Sequence, residues 1–109
     1  MGSTGLSARL AIQISLGLLG EDNESAELTE LVEEASLIGL TGAEIGVAKH
    51  GSSFDVRDAQ AMALSRAYRD GFFGVIRRHE RKAVNAGLSD DEIQMIKRLV
   101  AAHASTHDH

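Results

Sequence analysis

The chain has 109 residues, no cysteine and no proline, with 43% hydrophobic, 25% charged and only 4% aromatic residues. That is the size and balance of one globular domain, and the missing cysteines exclude disulfides, thiol nucleophiles and Cys-ligated metal sites within it. A formal net charge of -5 sets any phosphate-rich partner against net repulsion, so no nucleic acid is expected to bind.

Met1 to Gly5 is small and polar and is expected to be loose. A first helix is predicted from Leu6 or Ser7 to about Leu19, because Leu6, Leu10, Ile14 and Leu18 recur on one helix face. The apolar run Leu10 to Leu19 is too short to span a bilayer, contains Gln13 and Ser15, and is followed by no cleavage pattern. No membrane partner is expected, and the cytoplasm is the expected location. Gly20 to Asn23 reads as a turn. In the second helix Leu28, Leu31, Val32, Ala35 and Ile38 share one face, with Glu27, Glu30, Glu33 and Glu34 mostly opposite. Gly39 is placed to end it. Thr41-Gly-Ala-Glu44 is a capping box that starts a short third helix ending near His50.

Gly51-Ser-Ser is a break. A fourth helix is predicted from about Phe54 to Arg69, with Ala59, Met62, Ala63 and Ala67 inward, and Gly71 after it. A fifth runs from about Phe72 to Ala86 and ends at Gly87. Its bases Arg77, Arg78, Arg81 and Lys82, interrupted by His79 and Glu80, read as a solvated helix face. Ser89-Asp-Asp-Glu92 is a second capping box, and the last helix carries Ile93, Ile96 and Val100 inward. The tail HASTHDH is expected to be loose. With few alternating β-branched or aromatic runs, the fold expected is all-α, one domain of about six helices.

The chain says one thing twice. At an offset of 48 residues, Leu31 falls on His79, Ala35 on Ala83, Gly39 on Gly87, Thr41 on Ser89, Glu44 on Glu92 and Ile45 on Ile93. The same offset sets Arg9 on Arg57 and Leu16 on Leu64. These matches predict an internal two-fold repeat, with halves 6–51 and 54–104 and loose ends at 1–5 and 105–109. The competing account is that Gly-Leu-Ser/Thr-x-x-Glu-Ile is common helix-turn-helix grammar.

The pattern His79-x-x-x-Ala83-x-x-x-Gly87-Leu-Ser-x-x-Glu92-Ile resembles the core signature of the alkylhydroperoxidase D-like and carboxymuconolactone decarboxylase superfamily. Glu27-Leu28-x-x-Leu31-x-x-x-Ala35-x-x-x-Gly39-Leu-Thr-x-x-Glu44-Ile does so too, and the resemblance covers about Ala8 to Val100. It implies the helical fold of that family and assembly as a trimer or hexamer. In the family's redox members a Cys pair precedes the motif His, with a relay Glu further upstream. Here the Cys positions hold Phe72 and Val75, or Glu24 and Glu27 in the first half, where the His position is Leu31. The relay position is Gln60, or Ile12 in the first half. Only His79 matches. A thiolate is the nucleophile of that chemistry, so these residues cannot carry it. The decarboxylase branch does without the Cys pair. Its likeness implies acid-base chemistry on a small lactone acid, with His79 as acid-base and a neighbouring arginine, Arg78 foremost among Arg77, Arg78 and Arg81, as anchor. The alternative is a catalytically silent, oligomeric binding module. A second resemblance, to the tellurite-resistance protein B-like helical domain, rests on Asp22, Glu27 and Gly39 and implies metal binding in a stress response.

Among single residues, His79 shares a face with Ile76, Ala83 and Ala86, and histidine suits general acid-base work at neutral pH. The competing account is a half-buried or subunit-interface histidine. Glu27, Glu30 and Glu34 form a strip that could meet a hard cation, but a solvated face is the ordinary meaning and no His joins them at a matching position. His103, His107, His109 and Asp108 make only an adventitious metal tail, so no metal site and no cofactor are expected. Tyr68, Arg69 and Asp70 close a helix and could line a pocket, or simply pack and cap.

Overall fold

The computed structural model describes residues 6–19 and 26–107. Six helices make up the fold: α1 (Ala8–Leu19), α2 (Ala26–Leu37), α3 (Gly42–Lys49), α4 (Val56–Asp70), α5 (Phe73–Asn85) and α6 (Asp90–His107). The described residues contain no strand. The expectations for 1–5, for the turn at 20–23, for Glu24 and for 108–109 lie outside the described residues.

Helices α1 and α4 cross at the centre. On one side α1 packs against α2 and α3; on the other, α4 packs against α5 and α6. This placement explains why α1 is buried on more than the single face its Leu and Ile spacing suggests. Leu10, Ile12, Ile14, Leu16, Leu18 and Leu19 all enter the core, and an all-round apolar helix is stable only inside. Met62 and Leu64 from α4 and Ile96 from α6 complete the most deeply buried set. Each such side chain contributes about 1.5–3 kcal/mol of transfer free energy. Gly17 permits the close crossing: a Cβ there would lie 3.2 Å from Met62 Cε and 3.3 Å from the Ala48 carbonyl oxygen. Two polar contacts fix the crossing. The buried Gln13 amide donates to Asp58 at 3.1 Å, and Arg66 donates to the Gly17 carbonyl at 3.2 Å.

The helix ends come in matched pairs. Thr41 and Glu44 exchange side-chain and backbone hydrogen bonds of 3.1 and 2.8 Å, and Ser89 and Glu92 do the same at the same distances. Gly39 and Gly87 have φ of +104° and +105°, where a side chain would be strained. Beside them, Leu40 and Leu88 donate 3.0 Å backbone bonds back to the carbonyls of Ala35 and Ala83, as in a Schellman turn. Arg9 pairs with Glu44, and Arg57 with Glu92, each across 35 residues of chain. Leu16 and Leu64, and Ala35 and Ala83, are each fully buried.

Four expectations need correction. Ala59 and Ala63 are only half-buried, while Ala61, Leu64 and Ser65 join Met62 and Ala67 inside, because a central helix is covered over a wide arc. Ile38 stays 44% exposed, at the rim of a groove rather than in the core. The tail is not loose at its start. Helix α6 continues to His107, since Ala101-Ala-His-Ala contains no breaker and alanine is the best helix former. The fourth correction concerns His103 and belongs with the candidate sites.

Candidate functional site

His79 stands in the middle of α5, half-buried, with its Nδ1 atom enclosed and without a hydrogen-bond partner. Burial holds its imidazole below the ordinary histidine value of 6.5, and the Lys82 and Arg78 cations lower it further. The ring is therefore neutral near pH 7, with one nitrogen able to accept and one able to donate. On α4, the helix packed against α5, Gln60 has its Oε1 atom enclosed and equally without a partner. Two unsatisfied polar atoms on adjoining helices are costly, at about 1–3 kcal/mol each.

The first half shows what such positions look like when they are apolar. The residues 48 positions earlier are Ile12 and Leu31, and both line an open groove of about 290 Å³ between α1 and α2. In the second half the same two positions are polar. Arg78 and Lys82 are exposed and close enough to act on His79 electrostatically, which suits them to a carboxylate held over the imidazole. Arg77 is turned elsewhere, its guanidinium 5.5 Å from the centre of the Phe73 ring. His79 is thus a neutral base or donor with two cations nearby, and Gln60 is an acceptor on the adjoining helix. Sequence reasoning named Gln60 only as a position where a relay acid is missing. The offset comparison carried the stronger signal, a polar pair replacing Ile12 and Leu31.

The other candidates resolve into structure. The Tyr68 hydroxyl donates to Glu80 at 2.6 Å, and Lys97 lies 3.9 Å from the same carboxylate and 5.6 Å from the Tyr68 ring centre. Burial, then the Glu80 bond and charge, push the Tyr68 phenol well above its ordinary range. This cluster ties α4, α5 and α6 together and leaves Tyr68 in packing. Arg69 pairs with its neighbour Asp70 on the surface at 3.1 Å.

The acidic strip does have a histidine near it, contrary to expectation. His103 of α6 lines a cavity of about 250 Å³ with Glu27, Glu30 and Glu34, because α6 runs on past Val100 and reaches α2. No three potential ligands among the described residues are nevertheless grouped to hold a metal ion.

No family model, no curated protein and no solved structure matches this chain. No helix of the described residues is long and apolar enough to cross a membrane.

Proposed function

We propose that this chain is a self-associating, cysteine-free helical module of the alkylhydroperoxidase D-like type that holds a small organic acid at the seam of α4 and α5. One observation carries the reading: His79 Nδ1 and Gln60 Oε1 are both enclosed and both lack partners, on helices that pack together. Buried polar groups are ordinarily satisfied, so a pair of orphans marks a place where a ligand or water completes the bonding. Arg78 and Lys82 beside His79 favour an acid as that ligand. The matched caps, glycines and ion pairs of the two halves support descent from one duplicated three-helix unit, in which the second copy acquired the polar pair. A cytoplasmic setting accords with the absence of cysteine from the chain.

Calorimetric titration with a panel of small carboxylic and lactone acids tests this. At least one acid should bind, and His79→Ala should weaken it by about tenfold or more, the scale of one charge-assisted contact. If no acid binds at millimolar concentration, or if binding ignores His79→Ala, the proposal fails.

A second reading makes the same seam an active site, a Cys-independent decarboxylase with His79 as acid-base and Arg78 as anchor. It is favoured by the burial that keeps His79 unprotonated and ready to accept a proton. Turnover of a bound lactone acid, lost in His79→Ala while Lys82→Ala only raises KM, separates it from silent binding.

A further inference from the structure

Helices α2 and α5 hold corresponding places, one against α1 and the other against α4, and they are oppositely charged. Glu30, Glu33 and Glu34 stand where α5 has Arg78, Arg81 and Lys82, 48 positions later. All six are exposed. None of the six has an ion-pair partner among the described residues; the pairs formed there include Arg9 with Glu44, Arg57 with Glu92, Arg69 with Asp70, and Lys97 with Glu80. Helix α2 contains no basic residue, and the one acid of α5, Glu80, is engaged by Tyr68 and Lys97. Both helices are shallowly seated. Only Leu28 and Ala35 of α2, and only Ala83 of α5, are fully buried.

Exposed apolar residues flank the two charged faces, Leu37 on α2 and Phe73 and Val84 on α5. Leu37, at the C-terminal end of α2, is 85% exposed, and Phe73, at the N-terminal end of α5, is 71% exposed. On α2 the outward stripe reads Glu30, Glu33, Glu34, Leu37; on α5 it reads Phe73, Arg77, Arg81, Val84. Laid antiparallel, Leu37 meets Phe73, Glu33 and Glu34 meet Arg77, and Glu30 meets Arg81. Laid parallel, Glu30 meets Arg77, Glu34 meets Arg81 and Leu37 meets Val84, so the charges and an apolar contact match in either direction.

We propose that α2 of one copy of this chain packs along α5 of a second copy. The contact joins two different faces of the protein. Each copy therefore offers one acidic and one basic side, and repetition closes a ring when the rotation between copies permits. This deepens the self-associating part of the proposed function. It does not depend on the acid site, because His79 lies off the Phe73, Arg77, Arg81 stripe.

Light scattering on the full chain and two charge-reversed variants tests the pairing. At low ionic strength the wild type should be multimeric, and salt should weaken it as the charges are screened. E30K/E34K and R77E/R81E should each weaken self-association by about tenfold or more and yield monomers. These positions are exposed, so unchanged helical circular dichroism should confirm that both variants fold. An equimolar mixture of the two should reassociate, since each variant then offers the charge the other needs. A monomeric wild type overturns both this pairing and self-association in general. A multimeric wild type with multimeric variants, or monomeric variants that stay apart when mixed, overturns the α2–α5 pairing alone. None of these outcomes touches acid binding at His79.

Discussion

At the scale of single residues, two positions that are apolar in α1 and α2 are polar 48 residues later. Ile12 and Leu31 line an open groove, while their counterparts Gln60 and His79 each enclose a polar atom with no partner. A site kept for a ligand stores this kind of cost in the empty protein. Replacing the pair by the residues found 48 positions earlier, Gln60→Ile with His79→Leu, should therefore raise stability in urea by about 2–6 kcal/mol while abolishing acid binding. A variant less stable than wild type would show that the two polar groups serve packing alone. The residues of this proposed site were partly legible beforehand. His79 stood out by its spacing with Ile76, Ala83 and Ala86, and Arg78 by adjacency. The unpaired state of Gln60 was not legible, because hydrogen-bond satisfaction depends on how α4 and α5 pack rather than on either segment alone.

At the scale of helices, the ends were the most legible feature of the sequence, since caps are local. Both capping boxes form as the Thr41-x-x-Glu44 and Ser89-x-x-Glu92 patterns require. Thr41→Ala and Ser89→Ala should each cost about 0.5–2 kcal/mol in chemical denaturation, and the two losses should be similar because the bonds are alike. The Arg9–Glu44 and Arg57–Glu92 pairs are partly exposed, so solvent and salt screen them and they should add little beside the caps. Burial was less legible than the ends. In α4, alanines at positions 59, 61, 63 and 67 give little contrast between faces, so which ones turn inward is decided by the crossing with α1. The continuation of α6 to His107 was legible in principle, because Ala101-Ala-His-Ala contains no breaker and favours helix locally.

For the whole molecule, three groups link stability to pH on the acid side. His79 has a lowered value, mainly from burial, so the unfolded chain takes up a proton first and stability falls as pH drops below the ordinary 6.5. Glu44 is lowered chiefly by the Thr41 amide. For Glu92, burial acts to raise the value but is outweighed by the Ser89 amide and Arg57. The stability these two carboxylates supply is present above the ordinary 4.5 and is lost as pH falls through their lower folded values. Acid denaturation should thus begin in the histidine range and steepen in the carboxylate range, and His79→Leu should remove the first part only; melting temperature against pH checks this. The all-helical architecture was legible from periodicity, but the grouping of helices around a central α1 and α4 was not, because no local signal says which apolar faces meet. The central claim is that the α4–α5 seam holds an acid at His79, and imidazole nitrogen resonances followed during titration with the acid panel test it most directly. The expected result is a saturable shift at His79 with its pKa raised, as a bound carboxylate favours the protonated ring. A His79 signal unmoved by every acid at millimolar concentration, in a protein that remains folded, would contradict it.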